Sequence, residues 1–294
     1  MGAIAVQERG RERAVRPTDR QDPTAWGRRI ALWISGAIAT LMVVASAAGL
    51  WIDDLYPDGP WAREALRGGD LTTLVLVTPV LVLSLLGAAK GSRRAQVIWI
   101  GTLGYGVYNY AYYVFGAEFN DIFVLHIALL ALSGWALALA VIGLDLRGVA
   151  SSLQIGTAAR WIGGFLALVG IILGGLWIAL AIRFAVTGKL MADVPADGFH
   201  LVLGIDLTLL VPSLVVAGVL LSRRTAAGVV FGAAMTVLGA LYQVNLLAAG
   251  VFQANAEVPG AKAFPIEGIV VAVGFAISTA FLLGRRAHRA ESHA

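Results

Sequence analysis

The chain contains no cysteine, which excludes disulfides, Fe–S clusters and thiol catalysis. It has only three lysines, Lys90, Lys189 and Lys262. All three stand in loops or at the ends of apolar runs, so a retinal Schiff base within the membrane is excluded. Charge is scarce: 14% of residues are charged, against about 25% in a soluble domain. No phosphate-binding Gly-x-x-x-x-Gly-Lys, dinucleotide fingerprint or Gly-x-Ser-x-Gly elbow occurs. Histidine pairs spaced for haem are missing as well. ATP-driven work and cofactor chemistry find no support, and no cofactor is expected.

What is present is apolar. Of 294 residues, 59% are hydrophobic, and the mean hydropathy is +0.80. A spanning helix needs roughly 20 apolar residues. Charge-free runs occupy 30–52, 71–89, 95–117, 122–144, 161–182, 207–222, 225–256 and 268–284. They predict an all-α integral membrane protein with eight transmembrane helices. The sixth run is short unless its helix begins near Phe199, and the eighth helix is expected to begin at Pro265. Residues 1–29 hold seven arginines, four acids and two prolines and read as a disordered basic tail. Ala45-Ser46-Ala47 resembles a cleavage site but lies inside the first run, so that run is expected to be retained.

The loops alternate between two sides, and the tail is assigned to side one. Side one then carries 17 of the 22 Lys and Arg, and side two carries Arg63, Arg67, Arg183, Lys189 and Lys262. This places side one, with both termini, in the cytoplasm and the chain in the plasma membrane. The basic pI follows from that bias and calls for no nucleic acid. Membrane lipid is the expected partner, through the tail. The acids are concentrated on side two, with 12 of 18 there.

The chain also repeats itself. "GLWI" stands at 49–52 and 175–178, and "DLT" at 70–72 and 206–208. Pro79 and Pro212 follow, then Arg93-Arg94 and Arg223-Arg224, then Tyr108-Asn109 and Tyr242-Gln243. The common order predicts two four-helix halves, 30–144 and 161–285, joined at 145–160, with a short C-terminal tail at 286–294. Four helices per half makes the repeat parallel, about an axis along the membrane normal. The segment Tyr108-Asn109-Tyr110, Phe115-Gly116, Phe119-Asn120 resembles a group of bacterial multi-pass membrane proteins with no assigned activity. The resemblance extends over most of the chain and implies a membrane-helix fold, but no activity.

Polar residues gather in "YGVYNYAYYVFGAEFNDIFVLH", Tyr105–His126. Tyr105, Tyr108, Tyr112 and Phe115 share a helical face, with Asn109 adjoining. Asn109 lies roughly 22 Å along its helix from Arg94. An interfacial aromatic belt with one asparagine between helices explains part of this; a ligand-lining face is the alternative. Asn120 or Asp121 suits the N-cap of the fourth helix, and Asp70 that of the second. Asp206 is either a cap or a carboxylate two turns inside the membrane. Glu118 is a loop acid. Tyr242, Gln243 and Asn245 in the seventh run could meet the Tyr–Asn face, with Gln243 as the counterpart of Asn109. His126 reads as a hydrogen-bonded interface histidine. His126 and His200 lack the spacing of a zinc site, so no metal is expected.

Three function classes follow. The first is a binder or secondary transporter for a small apolar or cationic molecule. It would use an outward-facing, tyrosine-rich cavity between the halves, lined by Tyr105, Tyr108, Asn109, Tyr112, Glu118, Asp206, Tyr242, Gln243 and Asn245. The second is a membrane enzyme acting on a lipid or isoprenoid by carboxylic acid catalysis in an aromatic pocket. The third is an assembly subunit without a small-molecule site.

Overall fold

The computed structural model describes residues 23–153, 156–189 and 196–284. Among these residues every regular element is helical. The elements are α1 (Pro23–Trp51), α2 (Pro60–Thr72), α3 (Thr78–Ala89), α4 (Arg93–Phe115), α5 (Phe123–Ile142), α6 (Leu146–Leu153), α7 (Ala158–Thr187), α8 (Ala196–Ile205), α9 (Val211–Ser222), α10 (Ala226–Asn255) and α11 (Ile266–Gly284). A π-helical turn, Thr73–Val77, joins α2 to α3, and another, Asp206–Leu210, joins α8 to α9. The result is eight long rods and the short α6. Seven of the rods are long and apolar enough to cross a membrane. The exception is α4, whose tyrosines and Asn109 lower its apolar content.

Several helices start earlier than their charge-free runs. The first begins at Pro23, so the end of the expected 1–29 tail is helical; residues 1–22 and the 286–294 tail lie outside the described residues. The second rod begins at Pro60, not at 71. Proline suits that first turn because its missing N–H would be unsatisfied there anyway. Arg63, Glu64 and Arg67 had made this segment look like a loop. They instead form a small ion-pair group, with Glu64 bridging Arg63 at 3.2 Å and Arg67 at 3.5 Å. The sixth rod begins at Ala196 and contains Phe199, and α11 starts directly after Pro265. Asp70 and Asp206 consequently each stand ten residues inside a rod (70 − 60 and 206 − 196). Neither is a cap.

Both π-helical turns have the same local cause. A proline in a helix lacks the donor for the carbonyl four residues back, and its ring clashes there. Pro79 and Pro212 each lie six residues after the first residue of a π turn. The ladder widens to accept them, with Thr78 N–H on the Thr73 carbonyl and Val211 N–H on the Asp206 carbonyl. Such bulges recur at functional sites. By this register Asp206 aligns with Thr73, three residues from the alignment that "DLT" suggests.

In the first half, α1 packs on α5, α2 and α3, and α4 packs on α3 and α5. In the second, α7 lies along α9, and α10 along α9 and α11. The halves meet where α10 runs beside α2 and α4. The most apolar stretch of α10 is 67% buried, against 17% for α7 and for α11. The outer helices turn Leu168, Ile171, Ile172, Val270 and Ile277 outward, as lipid-facing helices do. Within the expected 145–160 junction, α6 buries Val149 and Leu153 and packs on α4 and α10. Trp99 ties α4 to α1, its indole N–H donating to Ser35 Oγ at 2.9 Å.

Candidate functional site

All seven tyrosines of the chain lie in one polar interior, and five of them come from α4. Between Tyr105 and Tyr113 the helix places polar side chains on several faces, so α4 serves two separate carboxylates.

The first carboxylate is Asp70, 2% exposed. Tyr56 donates to Oδ2 at 2.8 Å and Tyr113 to Oδ1 at 3.1 Å. Tyr113 also reaches the Leu66 carbonyl at 2.8 Å. Tyr56 comes from the loop between α1 and α2. Burial, and then the Asp70 carboxylate beside it, push its phenol well above the ordinary value, so it stays a donor. Gly49 of α1 is required here: a Cβ at that position would run into the Asp70 carboxylate and the Tyr56 hydroxyl. The rings of Tyr56, Tyr110 and Tyr113 surround His126 of α5, with Tyr113 closest at 4.7 Å between centroids.

The second carboxylate is Asp206, 4% exposed, on the first residue of its π turn. Tyr108 and Tyr112 both donate to Oδ1, Tyr112 at 2.9 Å, and the two hydroxyls lie 2.9 Å apart. Trp177 of α7 donates its indole N–H to Oδ2 at 2.8 Å. Tyr242 of α10 packs edge-on against Tyr108, 4.7 Å between centroids. The result is a carboxylate enclosed by four aromatic side chains from three rods.

Asn245 of α10 ties the Asp70 side to α4. Its Nδ2 donates to Asn109 Oδ1 at 2.8 Å and to Tyr105 Oη at 3.1 Å. Its amide also packs against Gly69, the neighbour of Asp70. Asn109 Nδ2 is buried without a partner. Asn245→Leu should cost about 1–2 kcal/mol, because it strands the remaining amide and hydroxyl. Adding Asn109→Leu should recover part of that loss, read by thermal unfolding of the purified protein in detergent. If the two costs simply add, the amide pair is not a bond that matters.

Of the nine expected residues, Tyr108, Tyr112, Asp206 and Tyr242 come together in one group, and Tyr105, Asn109 and Asn245 in another. Two stand apart. Glu118 is exposed, its N–H held by Asp58 Oδ1 at 3.0 Å. Gln243 is half-buried and joins neither group; Asn109 pairs with Asn245 two residues further on. Asn120 does not cap a helix with its side chain but closes a local turn onto the Ile122 N–H at 3.2 Å. An open depression of about 320 Å³ lies at the side-two ends of α2 and α10, lined by Glu64, Arg67, Phe252, Asn255 and Ala256. None of the nine lines it. The tyrosine stripe is packed against partners rather than open. Asp70, Tyr113, Tyr56 and Trp177 were not among the expected residues. The signal for Asp70 was the tripeptide it shares with Asp206.

Comparison with family models, curated proteins and solved structures returned no match. The site must therefore be read from its chemistry. Among the described residues no group of three or more His, Asp or Glu is placed to hold a metal.

Proposed function

We propose that this multi-pass membrane protein binds, and carries across the membrane, a small organic cation, with Asp206 as its counter-charge. The observation that supports this most is the Asp206 cluster. An acid inside a membrane-crossing rod is costly and is retained where it meets a substrate or an ion. The rings of Tyr108, Tyr112, Tyr242 and Trp177 around it suit a cation, which aromatic faces attract. The acid also opens a π turn, and such bulges recur at functional sites. In this reading α4 crosses as the eighth span, because its polar stripe is covered by α10 and α2. The charge split supports side one as the cytoplasmic face, with the chain in the plasma membrane. The paired π turns and prolines support a parallel repeat of two halves.

The packed state of the interior supports one other reading, an assembly subunit with no solute. Titration with tetraethylammonium and with N-methylated aromatic amines separates the two. Trp177 emission, taken as the difference between the protein and Trp177→Phe, should change saturably. Asp206→Asn should weaken the apparent affinity at least ~10-fold while the protein remains monodisperse. No response of Trp177 to any of these cations, together with no uptake into proteoliposomes, would leave the assembly reading standing.

A further inference from the structure

The carrier reading uses Asp206 and leaves the Asp70 cluster without a task. This cluster has two unusual features. His126 is 0% exposed, and neither ring nitrogen has a hydrogen-bond partner. A neutral imidazole always presents one donor and one acceptor, so an acceptor stands vacant inside the first half. Tyr110 Oη and Ser46 Oγ nearby approach each other without a hydrogen bond of ordinary geometry. The second feature is Tyr113. Its hydroxyl has two acceptors within reach, Asp70 Oδ1 at 3.1 Å and the Leu66 carbonyl at 2.8 Å.

That second acceptor allows a change of state without loss of a hydrogen bond. With Asp70 ionised, Tyr113 shares its proton between the two acceptors. With Asp70 protonated on Oδ1, the new O–H donates to Tyr113 Oη, and Tyr113 donates wholly to Leu66. Tyr56 stays on Oδ2 in both states. One proton is gained and only hydroxyl hydrogens reorient. We propose that Asp70, Tyr113 and Leu66 form a proton-binding site, separate from the Asp206 cluster, that exchanges its proton with His126 inside the first four-helix half. The His126 ring, 4.7 Å from that of Tyr113 between centroids, turns an imidazolium N–H onto the Tyr113 hydroxyl, which takes that proton as it passes its own to Asp70 Oδ1. No electrons move.

The groups facing the pair are few. Tyr105, Tyr110 and Tyr113 come from α4, Tyr56 from the loop, and Ser46 from α1. The charged neighbours are Arg67, which acts on Asp70, and Asp58, which acts on Tyr56. Gly69 and Asn245 connect the site to Asn109 and Tyr105 on α4. The inference stands whether or not a solute is carried.

The test is infrared difference spectroscopy of the full chain in detergent, taken between acid and alkaline buffer, in the region of the carboxylic C=O stretch. A protonated-carboxyl band should appear, vanish in Asp70→Asn, and persist in Asp206→Asn. In Tyr113→Phe, which keeps the ring and removes only the hydroxyl, the band should move to higher frequency because it has lost its acceptor. Histidine-labelled nitrogen NMR should show His126 changing protonation state over the same range, and Asp70→Asn should displace that change. A band that survives Asp70→Asn, or a His126 signal blind to Asp70→Asn, overturns the proposal. If Asp70→Asn does not fold, an unmoved band in Tyr113→Phe overturns it equally. Loss of cation binding in Asp206→Asn with the Asp70 band intact would separate the two sites.

Discussion

Gly68→Leu should leave almost no folded protein to purify. A Cβ at Gly68 would lie 2.5 Å from Ala249 Cα and N and 2.8 Å from Ala248 C. Carbon atoms at rest sit about 3.5–4.0 Å apart. The obstacle is backbone, which cannot swing aside, so α2 and α10 must separate. Overpacking a well-filled core costs about 1–3 kcal/mol, and more where nothing yields. Gly68→Ala should therefore lose about 3 kcal/mol even though alanine gains about 1 kcal/mol in helix propensity. Leucine should exceed what a marginal fold can lose, since whole domains are stable by only about 5–15 kcal/mol. The control is Gly36→Leu: nothing lies within 4 Å of a Cβ there, and stability should hardly change. The measurement is the monodisperse yield in detergent and the unfolding midpoint. A folded Gly68→Leu would mean that α2 and α10 do not touch at this point.

The second large effect is at the centre of the site. In Asp206→Leu, Trp177 Nε1–H loses its partner. Tyr108 and Tyr112 can still bond each other across 2.9 Å, but one hydroxyl hydrogen is left over. Each stranded donor costs about 1–3 kcal/mol, so a loss of about 2–6 kcal/mol is expected for the two. Intact hydrogen bonds between membrane helices contribute only about 0.6 kcal/mol on average. The stranding, not the lost bond, dominates. Adding Trp177→Phe removes one stranded donor, and the double variant should be more stable than Asp206→Leu alone. A double-mutant cycle in detergent measures this. Additivity within about 0.5 kcal/mol would mean that Trp177 and Asp206 are not coupled.

The spacing of charge was enough to locate every long helix, because a rod that faces lipid has no other way to be written. It was a poor guide to where helices begin. Arg63, Glu64 and Arg67 satisfy one another and Arg67 rests over the Phe252 ring, 5.8 Å from its centroid, so their charges end no helix. That error turned Asp70 into a cap. For Asp206, sequence left two readings open, and the helix start at Ala196 decides between them. The face of α4 was legible from its period. Which residue would answer Asn109 was not: Gln243 and Asn245 differ by two positions on α10, and only the rotation of α10 against α4 brings Asn245 round. Trp177 could not have been found at all, since its contact with Asp206 depends on how α7 crosses the α8–α9 rod.

The polar stripe of α4 also bears on how the chain is made. The helix leaves the ribosome with five tyrosines and an asparagine and cannot shield them alone. Tyr113 meets partners already synthesised, Leu66 and Asp70, but Asn109 and Tyr105 are answered by Asn245, and Tyr108 by Asp206, both from the second half. The bond between Asn109 and Asn245 spans 136 residues. Until α10 emerges, α4 lacks its lining. The burial of the α4 stripe is therefore complete only after four more long helices, through α10, have been made.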